Sequence, residues 1–145
     1  MTSSLLVLNG PNLNTLGLRQ PEIYGHDTLA DVEARARAAA DAVGLTADCR
    51  QTNHEGEAID WLHAARGQVA GIVINPGGWT HTSVALADAL VIPEVPIIEV
   101  HLSNVYARES FRHVSYVSPI AAAVISGCGI DGYEFAVRRL ARLIA

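Results

Sequence analysis

The chain has 145 residues, of which 50% are hydrophobic, and its formal net charge is −5. This length and composition favour one compact domain, residues 1–145, with a substantial core. The acidic balance argues against a nucleic-acid or anionic-membrane partner, and neither a signal-like amino terminus nor an apolar run of about 18 residues is present. We therefore expect a cytoplasmic, single-domain protein.

Lysine is absent, and all ten positively charged side chains are arginine. Catalysis through a lysine Schiff base is therefore excluded, as is a Walker-type phosphate loop. The two cysteines, Cys49 and Cys128, lie in apolar stretches without CxxC spacing. This pattern predicts buried free thiols rather than a disulfide or a zinc site.

The chain begins with a predicted strand, a long loop and a helix. The apolar run at residues 4–9 is typical of a central parallel strand that is buried on both faces. Residues 10–26 contain several glycines and prolines without periodicity, which predicts a loop that can close over a site. A helix follows, with Asp27 or Thr28 as its N-cap and Gly44 as its stop.

A second strand and helix lead to the third strand. Residues 45–52 alternate weakly between apolar and polar side chains, which predicts a more exposed strand. Asn53 or His54 is then the expected N-cap of a helix that ends near Gly67. Residues 71–74 form the third predicted strand.

The second half continues this alternation. The predicted elements are a helix over residues 84–90, a strand over 96–101, a polar tract of undecided structure over 106–118, a strand over 121–126 and a helix over 133–144. Five strands alternating with helices predict an α/β fold, a doubly wound five-stranded parallel sheet with helices on both faces. A flavodoxin-like strand order is the expected topology.

Polar residues follow three of the strands and should meet at one edge of the sheet. They are Asn9, Asn12, Asn75, His81, His101, Ser103 and Asn104, joined by Arg19 and Tyr24 from the long loop and by Arg112 from the polar tract. Ligands of parallel α/β folds bind at this edge. Amides, hydroxyls, histidines and arginines without clustered carboxylates suit a small hydroxylated carboxylate better than a metal ion.

Each of these residues also has a purely structural interpretation. Arg19 beside Tyr24 favours a phenolate that can act as a base, but Tyr24 can equally pack at the base of the loop. His101 is either a general acid or a histidine satisfied at a strand end. Ser83 and Ser103 lack the G-x-S-x-G context of a hydrolase nucleophile and are typical of helix caps.

Several motifs together resemble one known family along nearly the whole chain. They are LNGPNLN at residues 8–14, GLRQPEIYG at 17–25, QTNHEG at 51–56, NPGG at 75–78, THTS at 80–83, EVHLSN at 99–104 and RESFR at 108–112. In this order they resemble the type II dehydroquinases, the 3-dehydroquinate dehydratases of the shikimate pathway, which supplies aromatic amino acid biosynthesis. Trp79 and Tyr106 depart from the residues expected in that family.

The resemblance implies a lyase that reversibly removes water from 3-dehydroquinate in the anti sense, through an enolate and without metal or cofactor. Tyr24 would be the base that removes the proton next to the ketone, and Arg19 would favour its phenolate form. Asn12 and an ordered water would stabilise the enolate oxygen. His101 would protonate the departing hydroxyl.

The resemblance also implies the binding residues and the assembly. The ring hydroxyls would bind Asn75, His81 and Arg112, the carboxylate would bind Leu102 and Ser103, and Glu99 would orient His101. Asp88 is similar to a residue that reaches into a neighbouring subunit's site, in a homododecamer built from trimers. The alternative is a non-enzymatic flavodoxin-like module that binds a small molecule.

Overall fold

The computed structural model describes residues 2–145. Its central sheet has five strands, β1 (Ser4–Asn9), β2 (Thr46–Gln51), β3 (Gly71–Asn75), β4 (Ile97–His101) and β5 (Ala123–Ser126). The strands are all parallel and follow the order β2-β1-β3-β4-β5. This is the flavodoxin-like topology, and the predicted fold is confirmed.

The helices connect the strands as expected for a doubly wound sheet. They are α1 (Pro21–Tyr24), α2 (Leu29–Ala42), α3 (Glu55–Ala65), α4 (Val84–Leu90) and α5 (Asp131–Ile144). Within residues 2–145, every helix is too short or too polar to span a bilayer. The predicted loop over residues 10–26 contains α1 and one 3₁₀ turn, Leu13–Thr15.

The helices cover the two faces of the sheet with separate apolar layers. On one face, α2 and α5 pack against Leu5 and Val7 of β1 and Val73 of β3. On the other, α3 and α4 pack against Leu6 and Leu8. Consecutive apolar residues of β1 therefore serve opposite layers, which explains the unbroken apolar run in its sequence. A fully buried leucine of this kind contributes about 2 kcal/mol of transfer free energy.

Two of the predicted helix caps are observed, and one is not. Thr28 and Asp31 form a reciprocal capping box at the start of α2. Ser83 Oγ accepts from the Leu86 N–H at the start of α4. At α3, His54 is the N-cap but its side chain does not cap. Asn53 instead accepts from the Asn12 N–H at 2.9 Å, so a long-range bond replaces the expected local one.

The later boundaries shift by a few residues, for local reasons. A 3₁₀ turn at Ser118–Ile120 delays β5 to Ala123, two residues after the predicted start. The last helix begins at Asp131, two residues before the predicted Tyr133. The polar tract after β4 forms 3₁₀ turns at Val105–Ala107 and Ser110–His113. Such short turns carry no helical periodicity that a sequence pattern could reveal.

The two cysteines occupy different environments. Cys49 of β2 is half-buried against the α2 and α5 layer, and burial raises the pKa of its thiol to about 11. Cys128 is exposed, so the prediction of a buried thiol is wrong there. It lies in the glycine-bearing turn after β5, where the chain is at the surface.

Candidate active site

A cleft opens at the carboxyl ends of β1, β3 and β4. It encloses about 160 Å³ and is lined by Pro11, Asn12, Leu13, Arg19, Tyr24, Asn75, Gly77, Gly78, His81, His101, Leu102, Ser103, Val105, Arg108 and Arg112. Nine of the predicted site residues therefore share one cavity. Glu99 lies behind His101, whereas Asp88 is exposed on α4 and does not line the cleft.

Two glycines allow the loops after β1 and β3 to meet at the floor of the cleft. The Gly10 N–H donates to the Asn75 carbonyl at 2.8 Å. A Cβ on Gly10 would lie 2.7 Å from the Pro76 carbonyl oxygen, which no side chain tolerates. Gly77 adopts φ +55°, a left-handed conformation that favours glycine. Within the stretch 75–83, Asn75 and His81 line the cleft, and Ser83 caps α4.

Tyr24 lies between two guanidinium groups. Arg108 Nη1 donates to the Tyr24 hydroxyl at 2.7 Å, and the Arg108 guanidinium carbon lies 5.1 Å from the ring centroid. The Arg19 guanidinium carbon lies 4.9 Å from the same centroid. Positive charge and a donated hydrogen bond both favour an oxyanion over a phenol. The Tyr24 hydroxyl therefore lies in a positively charged part of the cleft.

The sequence-based site omitted Arg108, although it contacts Tyr24 directly. The RESFR motif contains two arginines, Arg108 and Arg112, and the sequence predicts only Arg112 in the site. Their four-residue spacing in a polar tract after β4 was the available signal. Without a regular element there, the pattern could not indicate that Arg108 turns toward the long loop.

His101 forms a short hydrogen bond with a fully buried carboxylate. Its Nε2 lies 2.5 Å from Glu99 Oε2, and Glu99 has no solvent exposure. Thr80 and Ser118 donate to the same carboxylate at 2.6 and 2.5 Å. Burial raises the pKa of Glu99, but hydrogen bonds from His101, Ser118 and Thr80 outweigh it, and the net pKa lies below the ordinary value. An ionised Glu99 fixes the His101 ring and leaves Nδ1 for proton transfer.

The remaining lining residues supply donors and a positive charge. His81 Nδ1 is 2.7 Å from the Val114 carbonyl, which holds the ring and leaves Nε2 available. Arg112 donates to Glu109 at 2.6 Å. The pKa of Glu109 lies below its ordinary value, first because its carboxylate accepts from the Glu109 backbone N–H and second because it accepts from Arg112. Ser103 Oγ lies 3.5 Å from Arg108 Nη1. This rim suits a ligand with hydroxyl and carboxylate groups.

These contacts weaken the hypothesis that Ser83 or Ser103 is a hydrolase nucleophile. Ser83 is buried and its oxygen caps α4, so it is not placed as a nucleophile. The polar partner of Ser103 is Arg108 rather than a histidine. Across residues 2–145, no group of three His, Cys, Asp or Glu side chains is arranged to hold a metal ion.

Comparison with known proteins gives a consistent result along the whole chain. Residues 3–141 match the family described as Dehydroquinase class II. The chain is 62% identical to "3-dehydroquinate dehydratase 2" of Pseudomonas putida, covering 99% of this chain and 97% of the relative. It is 63% identical to "3-dehydroquinate dehydratase 1" of Corynebacterium efficiens, covering 97% and 93%.

A solved structure agrees with these sequence matches. The crystal structure of type II dehydroquinase from Propionibacterium acnes superimposes with a TM-score of 0.92 at 47% identity, covering 98% of each chain. Likeness in sequence and in fold therefore extends over nearly the whole chain. The chain belongs to the class II dehydroquinase family.

Proposed function

We propose that this protein is a 3-dehydroquinate dehydratase that converts 3-dehydroquinate to 3-dehydroshikimate by anti elimination of water. Family membership supports the overall reaction. The observation that carries the mechanism is the juxtaposition, in one cleft, of a tyrosine flanked by two arginines and a histidine bound to a buried carboxylate. One group is suited to remove a proton and the other to donate one.

Tyr24 acts as the base. As a phenolate stabilised by Arg108 and Arg19, it removes the proton adjacent to the ketone. The C–H electron pair moves into the ketone and gives an enolate, whose negative charge must be stabilised by donors. Asn12 lines the cleft beside this loop and supplies one, and an ordered water supplies another. No lysine is present, so an imine with a side-chain amine is not an available route.

His101 acts as the acid that completes the elimination. The enolate collapses to a conjugated enone as the hydroxyl on the β carbon leaves, and this hydroxyl must be protonated to depart as water. The buried Glu99 carboxylate is hydrogen-bonded to His101 Nε2 and orients the ring throughout. The proton then passes from Nδ1 to the leaving oxygen.

Substrate binding uses the rest of the rim. Asn75, His81 and Arg112 bind the ring hydroxyls, and Ser103 with the Leu102 backbone binds the carboxylate. All five residues line the cleft, and Leu102 and Asn75 are buried at its floor. A ligand held at several polar points is fixed relative to Tyr24, which lowers the entropic barrier to proton transfer.

Asp88 contributes from a neighbouring subunit, in a homododecamer built from trimers. Within one chain it is exposed on α4, between Val84 and Val91, which are 53% and 49% exposed. Val84 and Asp88 share one face of α4, and Val91 follows directly after the last residue of that helix. An apolar surface around a single carboxylate is suited to cover the arginine-bearing rim of another copy.

The decisive experiment is ultraviolet absorbance. The product contains a conjugated enone that the substrate lacks, so purified protein mixed with 3-dehydroquinate should raise near-ultraviolet absorbance. A folded protein that binds 3-dehydroquinate without any rise would instead favour the non-enzymatic binding module.

A further inference from the structure

A buried chain of hydrogen bonds runs behind Asn75. The Gly77 N–H donates to Asn75 Oδ1 at 3.2 Å. Asn75 Nδ2 donates to the Tyr133 hydroxyl at 2.9 Å, and that hydroxyl donates to Asn9 Oδ1 at 2.6 Å. The chain therefore joins the floor of the cleft to β1 and to α5, which contributes no residue to the cleft lining.

The hydrogen bond from the Gly77 N–H determines which group donates and which accepts in each of the other two hydrogen bonds. A backbone N–H can only donate, so the Gly77 N–H requires the Asn75 oxygen and turns Asn75 Nδ2 toward Tyr133. The Tyr133 oxygen then accepts, and its single proton points to Asn9. A flipped Asn75 amide would place two donors against each other at Gly77. Asn75 consequently presents to the cleft only its second Nδ2 hydrogen and one Oδ1 lone pair.

Burial makes this arrangement rigid. Tyr133 has no exposure, and Asn9 and Asn75 are 1% and 3% exposed, so water cannot replace a lost partner. Burial also raises the pKa of Tyr133, although the Asn75 hydrogen bond acts in the opposite direction, and the hydroxyl stays protonated. Asn9 Nδ2 is buried without a hydrogen-bond partner. A buried unpaired donor is unfavourable, yet Asn9 keeps the orientation that accepts from Tyr133.

We propose that Tyr133 is a positioning residue for the dehydratase reaction: together with the Gly77 N–H, its hydroxyl holds the Asn75 amide in the one orientation that binds a ring hydroxyl of the substrate. This inference rests on the proposed function, because Asn75 matters through the ligand that it binds. Tyr133 acts through Asn75 and does not itself reach the substrate. Asn9 sets the direction of the Tyr133 hydroxyl.

The test is a double-mutant cycle with Tyr133→Phe and Asn75→Ala. Phenylalanine fills the same buried volume but leaves Asn75 Nδ2 without its acceptor. We expect Tyr133→Phe to lower kcat/KM about ten-fold, mainly through KM, because Asn75 binds substrate and transition state alike. In the Asn75→Ala background, the same substitution should change kcat/KM by less than about two-fold.

Val137→Ala is the matched control. Val137 lies one turn further along α5 and is fully buried in the same core layer. Its truncation therefore lowers stability without removing any of the hydrogen bonds that join Asn75 to Asn9. Its kcat/KM should match that of the wild type. If Tyr133→Phe does not fold, Asn9→Ala perturbs the chain from its other end, and a similar rise in KM is expected.

Two kinetic results would overturn the proposal: kcat/KM of Tyr133→Phe within two-fold of the wild type, or an equal ten-fold loss in both backgrounds. Crystal structures of the wild type and of Tyr133→Phe then show the orientation of the Asn75 side-chain amide, independently of turnover. A rotated amide supports positioning, and an unchanged amide contradicts it. Absence of turnover in the wild type and in Val137→Ala would refute the proposed function separately. The orientation of the Asn75 amide in the two crystal structures would still test the positioning role of Tyr133.

Discussion

Replacing Arg108 by methionine should impair catalysis more than any change at Arg19. Arg108 donates to the Tyr24 hydroxyl at 2.7 Å, and its side chain is only 13% exposed. A hydrogen bond to a charged group in such a site contributes about 1.5–3 kcal/mol. At about 2 kcal/mol, loss of phenolate stabilisation lowers kcat roughly 30-fold near neutral pH.

The exposed Arg19 contacts the face of the ring, with its guanidinium carbon 4.9 Å from the centroid. A cation–π contact at an exposed site is worth about 0.5–1 kcal/mol, which corresponds to a roughly two- to five-fold effect for Arg19→Met. The geometry thus assigns the larger effect to the arginine that the sequence-based site omitted.

Steady-state kinetics by enone absorbance tests this ranking. Arg112→Met is the control, since Arg112 lines the same cleft but binds Glu109, and it should mainly raise KM. A kcat for Arg108→Met within two-fold of the wild type, with Tyr24 still required, would refute the reasoning.

Further predictions concern the acid, the buried carboxylate and the absent lysine. His101→Ala should lower kcat at least 100-fold with an unchanged circular dichroism spectrum, because the leaving hydroxyl loses its proton donor. The pKa of Glu99 lies below its ordinary value of 4.5 when folded, so its contribution to stability is present above that pH and is lost as pH falls through the folded pKa. Urea unfolding of Glu99→Gln should therefore give lower stability at pH 7 and a flatter decline below pH 4.5 than the wild type, and parallel declines would contradict this. Borohydride added during turnover should not inactivate the protein, because the chain has no lysine to form an imine. Inactivation with a stable mass adduct would exclude the enolate route.

Patterns that reflect burial predicted the fold well. The continuous apolar run at residues 4–9 coincides with β1 because both faces of that strand are covered. The strand-end rule then predicted that Asn75, His81 and His101 would share one cleft, and they do. These features depend on strand direction and burial, which a short stretch of sequence encodes directly.

Contacts between distant segments could not be predicted in the same way. Asparagine commonly caps helices, but the Asn53 side chain accepts from the Asn12 N–H, 41 residues away. Tyr133 is buried on the apolar face of α5, and helical periodicity indicates such burial without indicating its hydroxyl partners. Such pairings depend on register and rotamer, which only the folded chain specifies.

The most direct test of the account is the turnover of Tyr24→Phe in the enone assay. The substitution removes one oxygen, keeps the ring between Arg19 and Arg108, and should leave the circular dichroism spectrum unchanged. We expect a kcat at least 100-fold below that of the wild type, because general-base catalysis is lost. A folded Tyr24→Phe variant with near wild-type turnover would contradict it.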